Sequence, residues 1–233
     1  MAMVMTMALR LKIIIFSVAV TALCFCFQGR SSAAPTYHPY WGVGFITPQD
    51  GHLEGLTLPP GEVKLYDSPS GKIIGFLGQF SSITHDDWHE VGYESGGLTY
   101  YQRRGQFILV LIHNSEKGFW ISVPELEKVK FRTLDWLTFL LQDYNRGYYP
   151  DVDEGLILRE KPSKTSKAIA LLQRTNSSIE LTGETNGRWG KVKATIPYSY
   201  CEKDYEDAQH LTGWIMLVDD KGFPNIWLHA RGC

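Results

Sequence analysis

The sequence lacks the features that define several common classes of protein. Its 233 residues carry 23 Lys and Arg against 25 Asp and Glu, so the basic excess typical of nucleic-acid binders is missing. It contains no His-Glu-x-x-His, no Gly-x-Ser-x-Gly and no Gly-Lys-Ser/Thr loop. No apolar run reaches the about 20 residues that cross a bilayer. We therefore expect no nucleic-acid binder, no polytopic membrane protein and no bound cofactor.

The N-terminus has the three parts of a secretory signal peptide. Arg10 and Lys12 precede an uncharged run over residues 13–27, and small residues surround Ala33. The run is short for a membrane span. We expect a signal peptide over residues 1–33 that is cleaved after Ala33, with an uncleaved anchor as the alternative. The protein is then periplasmic or secreted, and its net charge changes from −2 to −5 because the segment holds three bases and no acid.

Cysteine is scarce, and cleavage would remove two of the four. Cys201 and Cys233 remain, and in the oxidising compartment of an exported protein a single pair usually becomes a disulfide. Closing a loop of about 30 residues stabilises a fold by roughly 3 kcal/mol in the chain-entropy model. A reactive thiol is the alternative, although neither residue lies in a recognisable catalytic signature. The sequence therefore predicts a disulfide between Cys201 and Cys233.

Two segments of the mature chain repeat the same order of features. Residues 61–77 and 155–172 each contain a short alternating strand, a Pro-Ser turn and a second apolar strand. A Trp-x-x-Val strand follows each of them, at 88–91 and at 189–192, and then a closing strand that begins with glycine and an aromatic residue. The turn proline and the closing tryptophan are 51 residues apart in the first segment and 52 in the second. Matching order and length indicate an internal repeat.

Short alternating strands separated by turns predict small antiparallel barrels. Val63 and Leu65 alternate with Lys64 and Tyr66, which places the two aliphatic side chains on one face. Large aromatic residues of the repeated strands are expected to fill the cores. These are Trp88, Trp120, Trp189 and Trp214.

Three motifs in the second segment carry a resemblance to a known family. They are Leu156-Ile-Leu158-Arg159-Glu-Lys-Pro162-Ser163, Asn186-Gly187-Arg-Trp189-Gly-Lys-Val192 and Gly213-Trp214-Ile215. Together they resemble a bacterial SH3 (SH3b) domain, whose patterns are Asn/Leu-x-Arg-x-x-Pro-Ser, Gly-Trp-x-x-Val and Gly-Trp-Ile/Val. The resemblance covers roughly residues 152–220 and implies an SH3-like barrel. In exported bacterial proteins such modules often accompany peptidase or amidase domains, so the resemblance implies a binding role.

The first copy and the insertion in the second depart from the family pattern. The first copy lacks the opening arginine, because Tyr66 follows Leu65, and it carries a long hairpin over residues 93–107. Residues 193–212 of the second copy form a longer connection than the family usually shows, and this connection contains Cys201.

The expected fold is mainly β, with two small SH3-like antiparallel barrels joined by a short helical linker. The barrels are expected over residues 34–128 and 152–233, the second with the disulfide-bearing insertion, and the linker over 129–151. In the linker, Thr133 is predicted to cap a helix that begins at Leu134, and Gly147 would end the helix. The apolar stripe of that helix has spacings of 3, 4 and 3 residues: Leu134, Leu137, Leu141 and Tyr144.

The aromatic content favours binding. Exposed rings beside polar groups form grooves for peptides or glycans, since flat rings supply contact area at a low entropy cost. The predicted ligand-binding residues lie on the long hairpin: Tyr93, Tyr100, Tyr101, Arg103 and Arg104. The expected partner is a cell-wall peptide or glycan, or another envelope protein.

Two other functions stay open. His85, Asp87 and His89 would share one face of a strand, and two imidazoles with a carboxylate can hold zinc. A metal-dependent enzyme centred on these residues is one alternative, although a polar strand face opposite Trp88 explains the same pattern without a metal. A structural subunit of an envelope assembly is the other. Two barrels and a helix use up the mature chain, so we expect no catalytic domain.

Overall fold

Short antiparallel strands joined by turns make up most of the protein, which confirms the predicted mainly-β class. The computed structural model describes the chain in seven stretches, all within a single compact unit. These are residues 42–49, 63–77, 88–92, 95–111, 118–142, 147–198 and 206–228.

The N-terminal part of the described chain contains nine strands and two short helices. The strands are β1 Gly44–Pro48, β2 Val63–Tyr66, β3 Ile73–Leu77, β4 Trp88–Gly92, β5 Ser95–Tyr100, β6 Gln102–Arg104, β7 Phe107–Leu111, β8 Gly118–Ser122 and β9 Phe131–Asp135. The helices are α1 Val123–Lys128 and α2 Trp136–Gln142.

The C-terminal part contains seven described strands. They are β10 Gly147–Pro150, β11 Leu156–Arg159, β12 Ala168–Leu172, β13 Ser178–Asn186, β14 Trp189–Ile196, β15 Gln209–Met216 and β16 Ile226–Leu228. They form one sheet in the order β12-β11-β15-β14-β13-β10-β16. The earlier strands form two sheets, β4-β5-β1-β9 and β3-β2-β8-β7-β6.

The predicted alternation in β2 is confirmed, and it explains the first core. Val63 and Leu65 are fully buried, whereas Lys64 and Tyr66 are only partly covered. The same period of two in β7 buries Ile108 and leaves its neighbours partly exposed. Inward residues of both smaller sheets and of α1 thus share one hydrophobic cluster.

Strand β1 belongs to two cores at once. Ile46 packs into the first cluster, while the adjacent Phe45 packs into the second, which the seven-stranded sheet covers. Successive side chains of a strand point to opposite faces, so one strand serves both. Trp136 of α2 contacts Phe45 at a centroid distance of 4.9 Å and Trp227 of β16 at 5.0 Å. These three rings all belong to the second core, and β1 contributes residues to both cores.

The helix predicted in the linker begins later than expected. Leu134 lies in β9, so Thr133 is not a helix cap. Helix α2 starts at Trp136, and the carboxylate of Asp135 accepts a hydrogen bond from the Thr138 amide at 2.8 Å, as an N-cap does. The pairing of β9 with β1 outweighs the local preference of these apolar residues for a helix. Gly147 begins a strand instead of ending a helix.

The described residues between 129 and 151, which were predicted to form a helical linker, contain two strands besides the helix. They contribute β9, α2 and β10 to the body of the protein, and β10 pairs with both β13 and β16. Tyr148 of β10 is fully buried. In the sequence, two tyrosines and a proline indicate a polar connection. The strands that pair with it lie about 30 to 80 residues away, and no local pattern indicates them.

The two repeated segments pair alike. The order β3-β2-β8-β7 in the five-stranded sheet matches β12-β11-β15-β14 in the seven-stranded one. Tyr66 lies opposite Trp120, and Arg159 lies opposite Trp214. A register shift occurs beside Tyr66 and beside Arg159. Strands that resemble one another in sequence thus hold equivalent places in the two sheets.

One predicted equivalence is wrong. Strand β4, which contains Trp88, pairs with β5 in a different sheet, whereas Trp189 begins β14 between β13 and β15. The strand that corresponds to β14 is β7, where Phe107 takes the place of Trp189. Gly105 and Gly187 occupy the preceding turns with the same φ of 58°, a conformation that favours glycine. The Trp-x-x-Val motif indicated β4 as the equivalent of β14, because the true equivalent, β7, has Phe107 in place of the tryptophan.

An ion pair at the end of β10 gives the first prediction. The side chain of Asp151 is 3% exposed, and Arg174 binds it while lying over the ring of Tyr149. Replacing Arg174 by Met takes the guanidinium away from a carboxylate that water hardly reaches. We expect Arg174→Met to lower the free energy of unfolding by about 2 kcal/mol, measured by urea denaturation.

Two further variants control that measurement. Asp151→Asn should restore much of the lost stability when combined with Arg174→Met, because no buried charge then remains. Lys191→Met breaks the exposed pair with Glu184 and should cost less than about 1 kcal/mol. Equal losses for Arg174→Met and Lys191→Met would contradict the assigned role.

Candidate binding surface

Of the five residues predicted to bind a ligand, the four that the structure describes do not share one exposed surface. Tyr93 lies outside the described residues. Tyr100 ends β5, Tyr101 follows it and is half-buried, and Arg103 and Arg104 lie exposed on β6. Of the four described side chains, the two arginines are the ones that solvent reaches freely.

Tyr100 is buried, so the expectation that it lines an exposed groove is wrong. Its side chain is 2% exposed and belongs to the first core. Burial, reinforced by the charge of Asp135, raises the pKa of Tyr100 to about 12, although Arg103 opposes this. The residue faces inward because β5 pairs with β1, and the register sets which side chains point into the core.

Arg104 covers an aromatic surface on the outside of the five-stranded sheet. Its guanidinium carbon lies 5.2 Å from the centroid of the Trp120 ring, within cation–π range. Phe107 lies opposite Arg104 in the β6–β7 ladder, and its ring meets that of Tyr66 edge-on at 5.4 Å. We call these four residues, Tyr66, Arg104, Phe107 and Trp120, the first aromatic face.

Glu125 at the start of α1 holds one edge of the first aromatic face in place. Its carboxylate accepts hydrogen bonds from the backbone amide of Lys64 and from the hydroxyl of Tyr66, each at 3.0 Å. Desolvation, and then the hydrogen bond to Glu125, raise the pKa of Tyr66. The hydroxyl therefore stays a neutral donor, and the ring is oriented beside Phe107.

An equivalent surface lies on the seven-stranded sheet. Arg159 and Lys191 lie opposite Trp214 from the two neighbouring strands, and Trp189 lies opposite Met216. All five side chains are partly exposed and share the face that points away from the core, because the alternate residues of these strands are buried. We call Arg159, Trp189, Lys191 and Trp214 the second aromatic face.

Two tryptophans expected to fill the core thus lie on the surface. Trp189 and Trp214 are half-buried, and Trp120 is 7% exposed beneath Arg104. The largest fully buried rings are Phe45, Phe119, Trp136 and Tyr148, and the side chain of Trp88 lies outside the described part of the structure. The alternation of β14 contained the signal: Gly190 and Val192 face inward, so Trp189 must face outward.

The first face combines flat rings with one cation, Arg104, and the second combines them with two, Arg159 and Lys191. Rings of this kind stack on peptide groups or sugar rings, and arginine binds carboxylates with two parallel hydrogen bonds. The arrangement therefore offers groups suited to recognition.

The described residues hold no group of three or more His, Cys, Asp or Glu side chains that would bind a metal ion. His85 and Asp87 lie outside them, and His89 is placed only by the backbone of β4. Cys201 and Cys233 also lie outside the described residues. The zinc alternative and the disulfide therefore stay predictions.

Within the described part of the chain, no helix is long and apolar enough to cross a membrane. Comparison of the chain with protein-family models, with curated proteins and with solved structures found no match.

Proposed function

We propose that this protein is an exported, non-catalytic binding protein of the bacterial cell envelope that recognises a cell-wall peptide or glycan. The observation that carries the proposal is the recurrence of an aromatic face with a cation at equivalent positions of two sheets. A core requires rings that point inward, whereas these rings point outward and lie beside arginine or lysine.

The proposal includes a tandem of two SH3-like modules. Equivalent strand orders, equivalent registers at Tyr66 and Arg159, and two turn glycines with the same φ support it. Two modules in one chain would contact two sites on a polymeric ligand, which raises the apparent affinity without any new contact. The sharing of β1 between the cores would hold the modules at a constant spacing.

Export follows from the proposed signal peptide over residues 1–33. An acidic mature chain provides no long-range attraction for carboxylates of a cell-wall peptide, so contact would rest on the local cations and rings of the two faces.

The test is retention of the purified protein on isolated cell-wall sacculi. We expect wild-type protein to sediment with sacculi and Arg104→Ala to bind about tenfold more weakly, because a charge-assisted hydrogen bond contributes about 1.5–3 kcal/mol. Adding Trp189→Ala should abolish measurable retention, since both faces are then altered.

Arg132→Ala is the matched control, because Arg132 is an exposed arginine on β9, away from both faces. It should bind like wild type, and near-ultraviolet circular dichroism should show that all variants are folded. Wild-type retention by the Arg104→Ala, Trp189→Ala double variant would overturn the assignment of the faces. Absence of wild-type retention would overturn the proposed ligand.

A further inference from the structure

Strand β12 lies at one end of the seven-stranded sheet formed by the described residues, and it carries neither a charge nor a proline. Among the described residues, β11 is the one strand that pairs with it. Its five residues, Ala-Ile-Ala-Leu-Leu over 168–172, contain neither charge nor proline. Natural proteins normally place a charge or a proline on such an edge, because the unpaired backbone groups otherwise recruit another strand.

The outward side chains beside this edge are apolar. Leu171 is 49% exposed and lies opposite Ile157 of β11, which is 40% exposed. Leu158 and Leu172 alternate with them and are fully buried. The row made by Ile157 and Leu171 therefore lies on the outer face, and at Leu171 it reaches the end strand of the sheet that the described residues form.

The charges that flank β12 are neutralised within the chain. Lys167 Nζ lies 2.9 Å from a carboxylate oxygen of Glu160, and Arg174 binds Asp151. An approaching strand therefore meets an edge without net charge at either end. A charged peptide would find no opposite charge at this edge, whereas the β12 edge of a second copy would meet no repulsion.

We propose that this edge pairs with β12 of a second copy of the chain, antiparallel and centred on Leu171. The two apolar rows then join into one, in which Ile157 and Leu171 continue into Leu171 and Ile157 of the second copy. In the same register Lys167 lies opposite Thr175 and Arg174 opposite Ala168, so no like charges face one another.

Self-complementarity is the reason to choose a second copy as the occupant. A two-fold interface places the same residue against itself at its centre, and a leucine with no charged neighbour suits that position. The pairing also covers the unpaired backbone groups of both edges, and the two sheets continue into one. The dimer would present both second aromatic faces on one side of that sheet.

Sedimentation velocity of the purified protein tests the proposal over a range of about 1–100 µM, which brackets the affinities common among homodimers of modest area. We expect a concentration-dependent dimer. Leu171→Lys places two like charges opposite each other at the centre of the interface, and we expect it to raise the dissociation constant by about 30-fold or more.

Ile73→Lys is the matched control. Ile73 is 50% exposed on β3, the end strand of the five-stranded sheet, so the substitution has the same chemistry on an edge outside the proposed interface. It should dimerise like wild type, and both variants should keep the wild-type melting temperature. A wild-type monomer at the highest concentration would overturn the proposal. So would a dimer that survives Leu171→Lys or dissociates with Ile73→Lys.

Discussion

Replacing Trp136 by Ala should lower the free energy of unfolding by about 4 kcal/mol, the range measured for large aromatic residues in protein cores. Trp136 is 1% exposed and contacts Phe45 of β1 and Trp227 of β16. Its Nε1 also donates to the carbonyl oxygen of Gly42 at 3.1 Å. The truncation therefore leaves a cavity in the second core and removes the partner of a buried carbonyl group.

Calorimetry would show this loss as a melting temperature about 10 °C lower for a domain of this size. Trp136→Phe keeps a ring against Phe45 and should lose less than half as much. Trp214→Ala is the control for residue type, since it removes a half-buried ring from the outer face. If Trp214→Ala costs as much as Trp136→Ala, the burial of Trp136 in the second core does not explain the loss of stability.

The second large effect concerns alkaline stability and Tyr100. In the unfolded chain its pKa is 10.0, and burial raises the pKa to about 12 in the folded protein. The folded protein therefore holds the proton more tightly, so this stabilisation is complete below pH 10 and is lost as the pH rises to 12. Two pKa units correspond to about 3 kcal/mol.

Tyr100→Phe tests this linkage, because phenylalanine fills the same space without an ionisable hydroxyl. Near pH 7 the variant should differ from wild type by no more than about 1 kcal/mol. Between pH 10 and 12 its free energy of unfolding should fall less steeply with pH than that of wild type. If the free energies of unfolding of wild type and variant, measured by urea denaturation, fall equally with pH, then the pKa of Tyr100 is the same in the folded and the unfolded protein.

Sequence patterns succeeded where the structure depends on neighbours along the chain. The alternation of Val63 and Leu65 predicted both the strand and the buried face, because a period of two is a property of the strand itself. The segments at 61–77 and 155–172 were predicted as paired strands for the same reason, and their registers confirm the pairing.

The same patterns failed where a distant strand decides the outcome. Leu134 fits an apolar helical stripe, yet it lies in β9 opposite Phe45, 89 positions earlier in the chain. Tyr148 reads as part of a connection, yet it is fully buried between β13 and β16. Pairing energy from such partners exceeds the small local preference of these residues for helix or turn.

The candidate surface shows the same division. Tyr100 and Arg104 are four positions apart on the predicted hairpin, but Tyr100 faces the core through its pairing with β1 while Arg104 lies over Trp120. Glu125, which orients Tyr66, carries no motif that marks it in the sequence. A contact between residues about 60 positions apart is visible only after folding.

The amino-acid sequence by itself determined the mainly-β class and the alternation that buries Val63 and Leu65, because both depend on spacing along one strand. Tertiary structure alone decided that β1 serves two cores and that Trp189 and Trp214 face outward beside a cation. It also decided that the β12 edge lies at the end of a sheet. These features depend on which strands become neighbours, a choice made by the free energy of the whole fold.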